Sequence, residues 1–329
     1  VKDGSSVEAV NAGNSSTIEF RVDGDEAPIA HAAILGGNLA EAGSYPYFVS
    51  MGGCGGSLIA PTVVLTAAHC NSDYFIGKTV QVGATKRWDI TNENFKASEE
   101  IKVIDGKSHP RFGKNSFLNN DFALLLLEKP YAMDTDIKLV LNDDFAFPPS
   151  GDMVDVIGMG SVVTNEPQIN ELHEVALPVI TNSQCNEYYG GGVKRKAICA
   201  GYRKGEKDAC HGDSGGPLLK RNGNTHILVG IVSYGVGCTR FPGVYARVSE
   251  GLKWIEKQVC DTWKVGSAQL CTDRKVDAGG GECSDDPSFA FQGNTRKNCA
   301  WAAKKPTGKR GRCGKRKVYK SCRVTCGKC

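Results

Sequence analysis

Apolar residues in this chain come in short β-prone bursts broken by glycine and other turn formers, and this rhythm dominates residues 44–248. The bursts are Tyr47–Met51, Gly56–Ile59, Val63–Thr66, Thr79–Val82, Ile101–Ile104, Ala123–Leu127, Met153–Ile157, His226–Ser233 and Gly243–Val248. Many short strands at close spacing predict an all-β domain. The period changes once. After Ser249, a candidate N-cap, Leu252, Ile255 and Val259 recur at i, i+3 and i+7, which predicts a helix. Upstream, residues 1–33 are rich in Ser, Gly, Asn and acidic groups without sustained periodicity, the pattern of a disordered tail. Downstream, Thr272–Glu282 contains Gly279-Gly280-Gly281 and reads as a linker. No run approaches about 18 uninterrupted apolar residues, so no membrane span is expected.

Candidate chemistry centres on Cys210-His211-Gly212-Asp213-Ser214-Gly215-Gly216-Pro217. Small neighbours let a carbonyl approach the Ser214 hydroxyl, and the amides of Gly212 and Ser214 are candidates for an oxyanion hole. A serine needs a base, and the base needs a carboxylate to hold its tautomer. His69, in Leu65-Thr66-Ala67-Ala68-His69-Cys70, and Asp121, which opens the apolar run to Leu127, are the candidates. His109, His173 and His211 are weaker bases by context. Asp89 and Asp105 read as surface carboxylates, because neither opens a buried strand.

These motifs, in the order His, Asp, Ser, resemble the trypsin/chymotrypsin family of serine peptidases over roughly Ile34 to Cys260. The resemblance implies two six-stranded antiparallel β-barrels with a C-terminal helix, the cleft between them holding His69 and Asp121 from the first barrel and Ser214 from the second. It implies a trypsin-like peptidase domain over 34–271 and a propeptide over 1–33. Cleavage between Ala33 and Ile34 would free an amine to pair with Asp213, whose alternative reading is a simple turn residue. Such a buried ion pair acts as a switch rather than a source of stability. Ala33 departs from the Arg or Lys that permits self-activation in many relatives, so a separate activating protease that cuts after a small residue is expected.

Asp208, six residues before Ser214, stands where trypsin-like relatives carry the floor of the specificity pocket, although Lys204-Gly205-Glu206-Lys207-Asp208 also reads as a solvated charged loop. A carboxylate at the floor would pair with Arg or Lys of a substrate. Gly235 and Gly243 would leave the mouth open, and Ala209, where a serine is frequent, would favour arginine. Ser233-Tyr234-Gly235 would pair with the substrate backbone as an antiparallel strand, Tyr234 replacing the usual Trp.

Fourteen cysteines indicate disulfides and hence secretion into an oxidising compartment. The chain starts at Val1 with no apolar leader following, so a secretory signal is expected to be absent from it. By resemblance Cys54 pairs with Cys70, Cys185 with Cys199, Cys210 with Cys238 and Cys260 with Cys271. No cofactor and no metal are expected. Charge is uneven: residues 272–329 hold 15 Lys/Arg against 5 Asp/Glu, about +10, whereas the remainder holds 25 against 31, about −6.

The tail has six cysteines in its last 47 residues, and Ser321-Cys322-Arg323-Val324-Thr325-Cys326-Gly327-Lys328-Cys329 resembles the ShK-toxin-like (ShKT) module over 283–329. That resemblance implies pairs Cys283–Cys329, Cys299–Cys322 and Cys313–Cys326, although six cysteines allow fifteen connectivities. Lys317-Val318-Tyr319 lacks the adjacent Lys-Tyr pair of channel-blocking relatives. The basic run Lys304–Lys320 reads as a solvated face or as a targeting surface for an anionic glycan or other surface. The expectation is a secreted zymogen of a trypsin-like serine endopeptidase cutting protein substrates after Arg or Lys, with no nucleic-acid partner. The alternatives are a non-catalytic binding protein on the same fold, and a protein whose tail is its working end.

Overall fold

The computed structural model describes residues 8–10, 19–21, 37–86, 98–114, 118–133, 135–160, 170–202, 209, 212–237, 240–267 and 270–271. The chain divides into two compact units, Val1–Leu270 and Cys271–Cys329, and the description below concerns the first. The ShKT-like reading of 283–329 and its three cystines lie outside the described residues.

Two six-stranded antiparallel rings make up the fold. The first comprises β4 (Phe48–Ser50), β5 (Gly55–Ala60), β6 (Val63–Thr66), β7 (Thr79–Val82), β8 (Glu99–Ser108) and β9 (Ala123–Leu127), closed in the order β4-β5-β6-β9-β8-β7. The second comprises β11 (Met153–Gly158), β12 (His173–Ile180), β13 (Ala197–Ala200), β14 (Pro217–Asn222), β15 (Thr225–Tyr234) and β16 (Gly243–Arg247). Pairing runs β11-β12-β13-β16-β15-β14 and back to β11, so closure leaves these strands without a free edge inside the ring. Between the rings β10 (Lys138–Leu141) adds to β15 in parallel, and β3 (Asn38–Leu39) adds to β12. Within 1–33, β1 (Glu8–Val10) pairs antiparallel with β2 (Glu19–Arg21). Strands this short leave too few positions for a period to be read.

Five strands in the body escape the periodicity reading: β3, β10, β12, β13 and β14. β12 carries Pro178, β13 is only Ala-Ile-Cys-Ala, and β14 starts directly after the serine loop, so each lacks a clean alternation of β-formers. Burial completes the pattern. β6 is buried at every position and β9 at all but one, as expected of strands covered on both faces.

The expected C-terminal helix is α3 (Val248–Glu256), continued by a π-helical segment, Lys257–Trp263. Its N-cap is Arg247 and not Ser249. β16 runs straight into the helix, and the Arg247 amide is held by Lys196 O at 2.9 Å, which leaves the cap position in extended conformation. Ser249 then falls inside the helix, its buried hydroxyl without a hydrogen-bond partner. Two further helices are the single turn α1 (Ser72–Phe75) and α2 (Asn182–Tyr189), which opens on a capping box between Thr181 and Gln184 and stops at Gly190, with φ 57°. The Thr-x-x-Gln spacing is visible in the sequence. Gly251 of α3 lies on the Phe122 ring so closely that a Cβ there would sit 2.7 Å from it. The helix therefore braces the residue that follows Asp121.

Candidate active site

His69 sits in a single 3-10 turn, Ala68–Cys70, directly after β6. Cys70 is bonded to Cys54, which ties this turn to the start of β5. Asp121 precedes β9, which pairs with β6 in register Thr66–Ala123, so neighbouring strands deliver both residues to one end of the first barrel. The turn before Asp121 needs left-handed backbone at Leu118 (φ 49°) and Asn120 (φ 56°). Asn120 offsets this by donating from Nδ2 to Arg111 O at 3.0 Å.

The Asp121 side chain is fully buried, and three donors converge on it. His69 N donates to Oδ1 at 2.9 Å, His69 Nδ1 to Oδ2 at 2.7 Å, and Ser233 Oγ to Oδ2 at 2.6 Å. An ionised carboxylate only accepts, so Nδ1 carries the proton and Nε2 is left as the acceptor of the neutral ring. Burial lowers the proton affinity of His69, but the Asp121 charge and its hydrogen bond outweigh this, leaving its pKa above the ordinary histidine value.

Ser214 belongs to a tight loop that ends at β14. Its carbonyl accepts from Gly55 N at 2.7 Å, and Cys70 Sγ, which carries no proton in its disulfide, lies 3.7 Å from the same oxygen. The serine backbone is thus packed against the residue that follows His69. Gly212 and Gly215 adopt φ 97° and 78°, which other residues rarely do. A Cβ at Gly215 would lie 2.2 Å from Thr66 Oγ1 and 2.6 Å from Gly55 O. Glycine there lets the loop of the second barrel touch β5 and β6 of the first.

Asp213 is also fully buried and accepts from Gly160 N at 2.8 Å. Gly158 and Gly160 leave the space it fills, since a Cβ at Gly158 would stand 2.0 Å from its Oδ1. Tyr234, at the end of β15, packs edge-on against Tyr189 with ring centroids 5.7 Å apart. Burial, then the Asp121 charge, pushes its hydroxyl up to about 12. Gly235 follows it, and Gly243 starts β16 opposite Ala200. Cys185 is bonded to Cys199, and Cys260 and Cys271 are both in disulfides. The expectations for Ala33, Ile34, Asp208 and the pair Cys210–Cys238 lie outside the described residues. Among the described residues no group of three His, Cys, Asp or Glu is placed to hold a metal ion.

Sequence reasoning overlooked three features. The Ser233 hydroxyl serves Asp121, a role that no spacing announces, because 112 residues separate them. The Gly158/Gly160 cradle becomes visible only once Asp213 is folded onto it. His226, passed over among the histidines, is buried with Nδ1 2.6 Å from the Tyr47 hydroxyl. Two of the weaker histidines have structural duties, and the third, His211, lies outside the described residues. His109 packs on Trp254, and burial, then Lys196 and Arg111, push it down to about 4. His173 places Nδ1 3.0 Å from Glu171 O. Asp105 is only 32% exposed and accepts from Trp263 Nε1 at 3.0 Å, so it is a tether rather than a plain surface group.

Residues 34–255 match the trypsin family. The chain belongs to that family. Relatives include Serine protease 56 of Homo sapiens, 31% identical over 87% of this chain and 47% of its own length. The clotting factor G beta subunit of Tachypleus tridentatus is 35% identical over 68% of this chain and 79% of its own. Glucanase inhibitor protein 2 of Phytophthora sojae is 37% identical over 68% of this chain and 78% of its own. The chain thus spans about half the length of the human relative. No helix among the described residues is long and apolar enough to cross a membrane.

Proposed function

We propose that this protein is a secreted trypsin-like serine endopeptidase, made as a zymogen, that hydrolyses peptide bonds after Arg or Lys. Ser214 attacks the scissile carbonyl, and His69 takes its proton and returns it to the leaving amine. Asp121 holds the imidazole, and the amides of Gly212 and Ser214 receive the oxyanion. The acyl-enzyme is then hydrolysed by the same groups in reverse roles. Asp208 holds the basic side chain, and cleavage after Ala33 by another protease frees Ile34 to pair with Asp213. The observation that carries this reading is the buried His69–Asp121 pair, 2.7 Å long, beside a glycine-framed serine loop. The disulfides support the extracellular setting.

The test is the chain cut after Ala33, assayed on arginyl and leucyl peptide amides. Turnover is expected on the arginyl amide and is expected to vanish in Ser214→Ala. Asp208→Ser is expected to cost far more on arginyl than on leucyl substrate, and equal losses would remove the pocket assignment. A second reading is favoured by the likeness to a glucanase inhibitor: a binding protein without catalysis on the same fold. No turnover and no labelling of Ser214 by a serine-directed phosphonate would establish it.

A further inference from the structure

A groove lined by Leu118, Asn119, Lys194, Lys196, Tyr234 and Tyr245 also takes in Ser233, whose hydroxyl donates to Asp121. In the sequence, the stretches around these lining residues, 109–120 and 190–196, contain Arg111, Lys114, Lys194, Arg195 and Lys196, and not one Asp or Glu. Arg195 is paired with Glu250 through two hydrogen bonds, at 2.9 and 2.8 Å. Lys194 is exposed and bonds only a carbonyl, Gly191 O at 2.7 Å. Lys196 bonds the neutral Asn120. The buried carboxylate nearby, Asp121, is committed to His69 and Ser233. The rim is therefore positive over an apolar floor of Leu118 and Tyr234.

The direction of a bound peptide follows from the strand. From Ser233, which touches Asp121, the chain leads through Tyr234 to Gly235 and away from the triad. A peptide pairing antiparallel to it runs the other way, so residues alongside Tyr234 and Gly235 precede the scissile bond. We infer that this groove selects peptides with Asp or Glu two to four residues before the cleaved bond, Lys194 and Lys196 receiving the carboxylates. The inference rests on the peptidase reading only for the direction of the chain; the charge preference stands on the groove itself. Glutamate suits it, because its methylenes cover Leu118 and Tyr234 while its carboxylate reaches the rim.

The test uses the chain cut after Ala33, intact to Cys329 and carrying Ser214→Ala, with fluorescent peptides read by anisotropy. The peptides differ only by Glu or Gln at those positions. At low salt each Glu is expected to tighten binding by up to about fivefold, as for an exposed ion pair, and the gap is expected to close as salt rises. Lys194→Glu is expected to erase the preference, and Lys194→Glu with Lys196→Glu to reverse it in favour of the Gln peptides. Lys78→Glu, on the first barrel, is expected to leave it unchanged. Equal binding of Glu and Gln peptides overturns the inference. So does a Glu preference that survives Lys194→Glu, which would belong to the basic tail. Hydrolysis is scored separately with Ser214 present: Glu-selective binding without any hydrolysis supports the groove and removes the peptidase reading instead.

Discussion

Ser233→Ala removes one of three hydrogen bonds to a carboxylate with no exposed surface, and leaves the backbone of the proposed substrate-binding edge intact. A hydrogen bond to a charged group contributes about 1.5–3 kcal/mol, and a buried acceptor cannot recover the loss from bulk water. In a domain of this size each kcal/mol moves Tm by about 2–4 °C, so Ser233→Ala is expected to melt about 3–12 °C lower. The two bonds from His69 remain, so the imidazole keeps its tautomer while its partner loses one restraint. The same free energy, felt in the transition state, corresponds to a fall in kcat of about ten- to a hundredfold, with KM little changed. Asp121→Asn is the yardstick, because loss of the tautomer costs about 10⁴ in the general template. Calorimetry and amidase kinetics on both variants decide the matter. A Ser233→Ala protein within 1 °C and twofold of the parent would mean that the hydroxyl does not serve the carboxylate.

Three further outcomes are expected. Gly158→Ala drives a Cβ to 2.0 Å from Asp213 Oδ1, a clash expected to cost about 3 kcal/mol or more, whereas Gly53→Ala meets nothing within 4 Å and should stay within about 0.5 kcal/mol; denaturant melts separate them. Because the Asp121 charge and bond raise His69 despite its burial, the acidic limb of kcat/KM is expected above the ordinary histidine pKa, with activity lost as pH falls through it. Asp121→Asn leaves burial alone and should move that limb downward. By linkage, the raised His69 contributes stability that is full below its unfolded pKa and lost as pH rises through the folded one. Phe122→Ala opens a cavity under Gly251 of α3 and is expected to destabilise by about 3–5 kcal/mol in chemical denaturation.

Local pattern was enough for much of the fold. The extents of β6, β7 and β9 are readable because valine, threonine and leucine dominate each short run, with only Gln81 and Ala123 interposed. Of the candidate triad, the His69–Asp121 pair that the structure brings together was legible, since each sits in a motif whose neighbours are small or apolar for a local reason. β12, β13 and β14 were not, because proline, alanine and the adjoining serine loop mask their alternation while pairing on both sides holds them extended. The N-cap of α3 was misread for a related reason, as a backbone bond from Arg247 to Lys196 overrides the intrinsic preference for serine.

What the residues dictate alone is therefore the all-β rhythm, the helix face and the chemistry-bearing loops, all set by forces acting within a few positions. Only the folded molecule decides that Ser233 serves Asp121, that Gly158 and Gly160 make room for Asp213, and that two acid-free loops line one groove. These contacts join positions 50 to more than 100 apart, and they form only when both barrels close and bury the groups together.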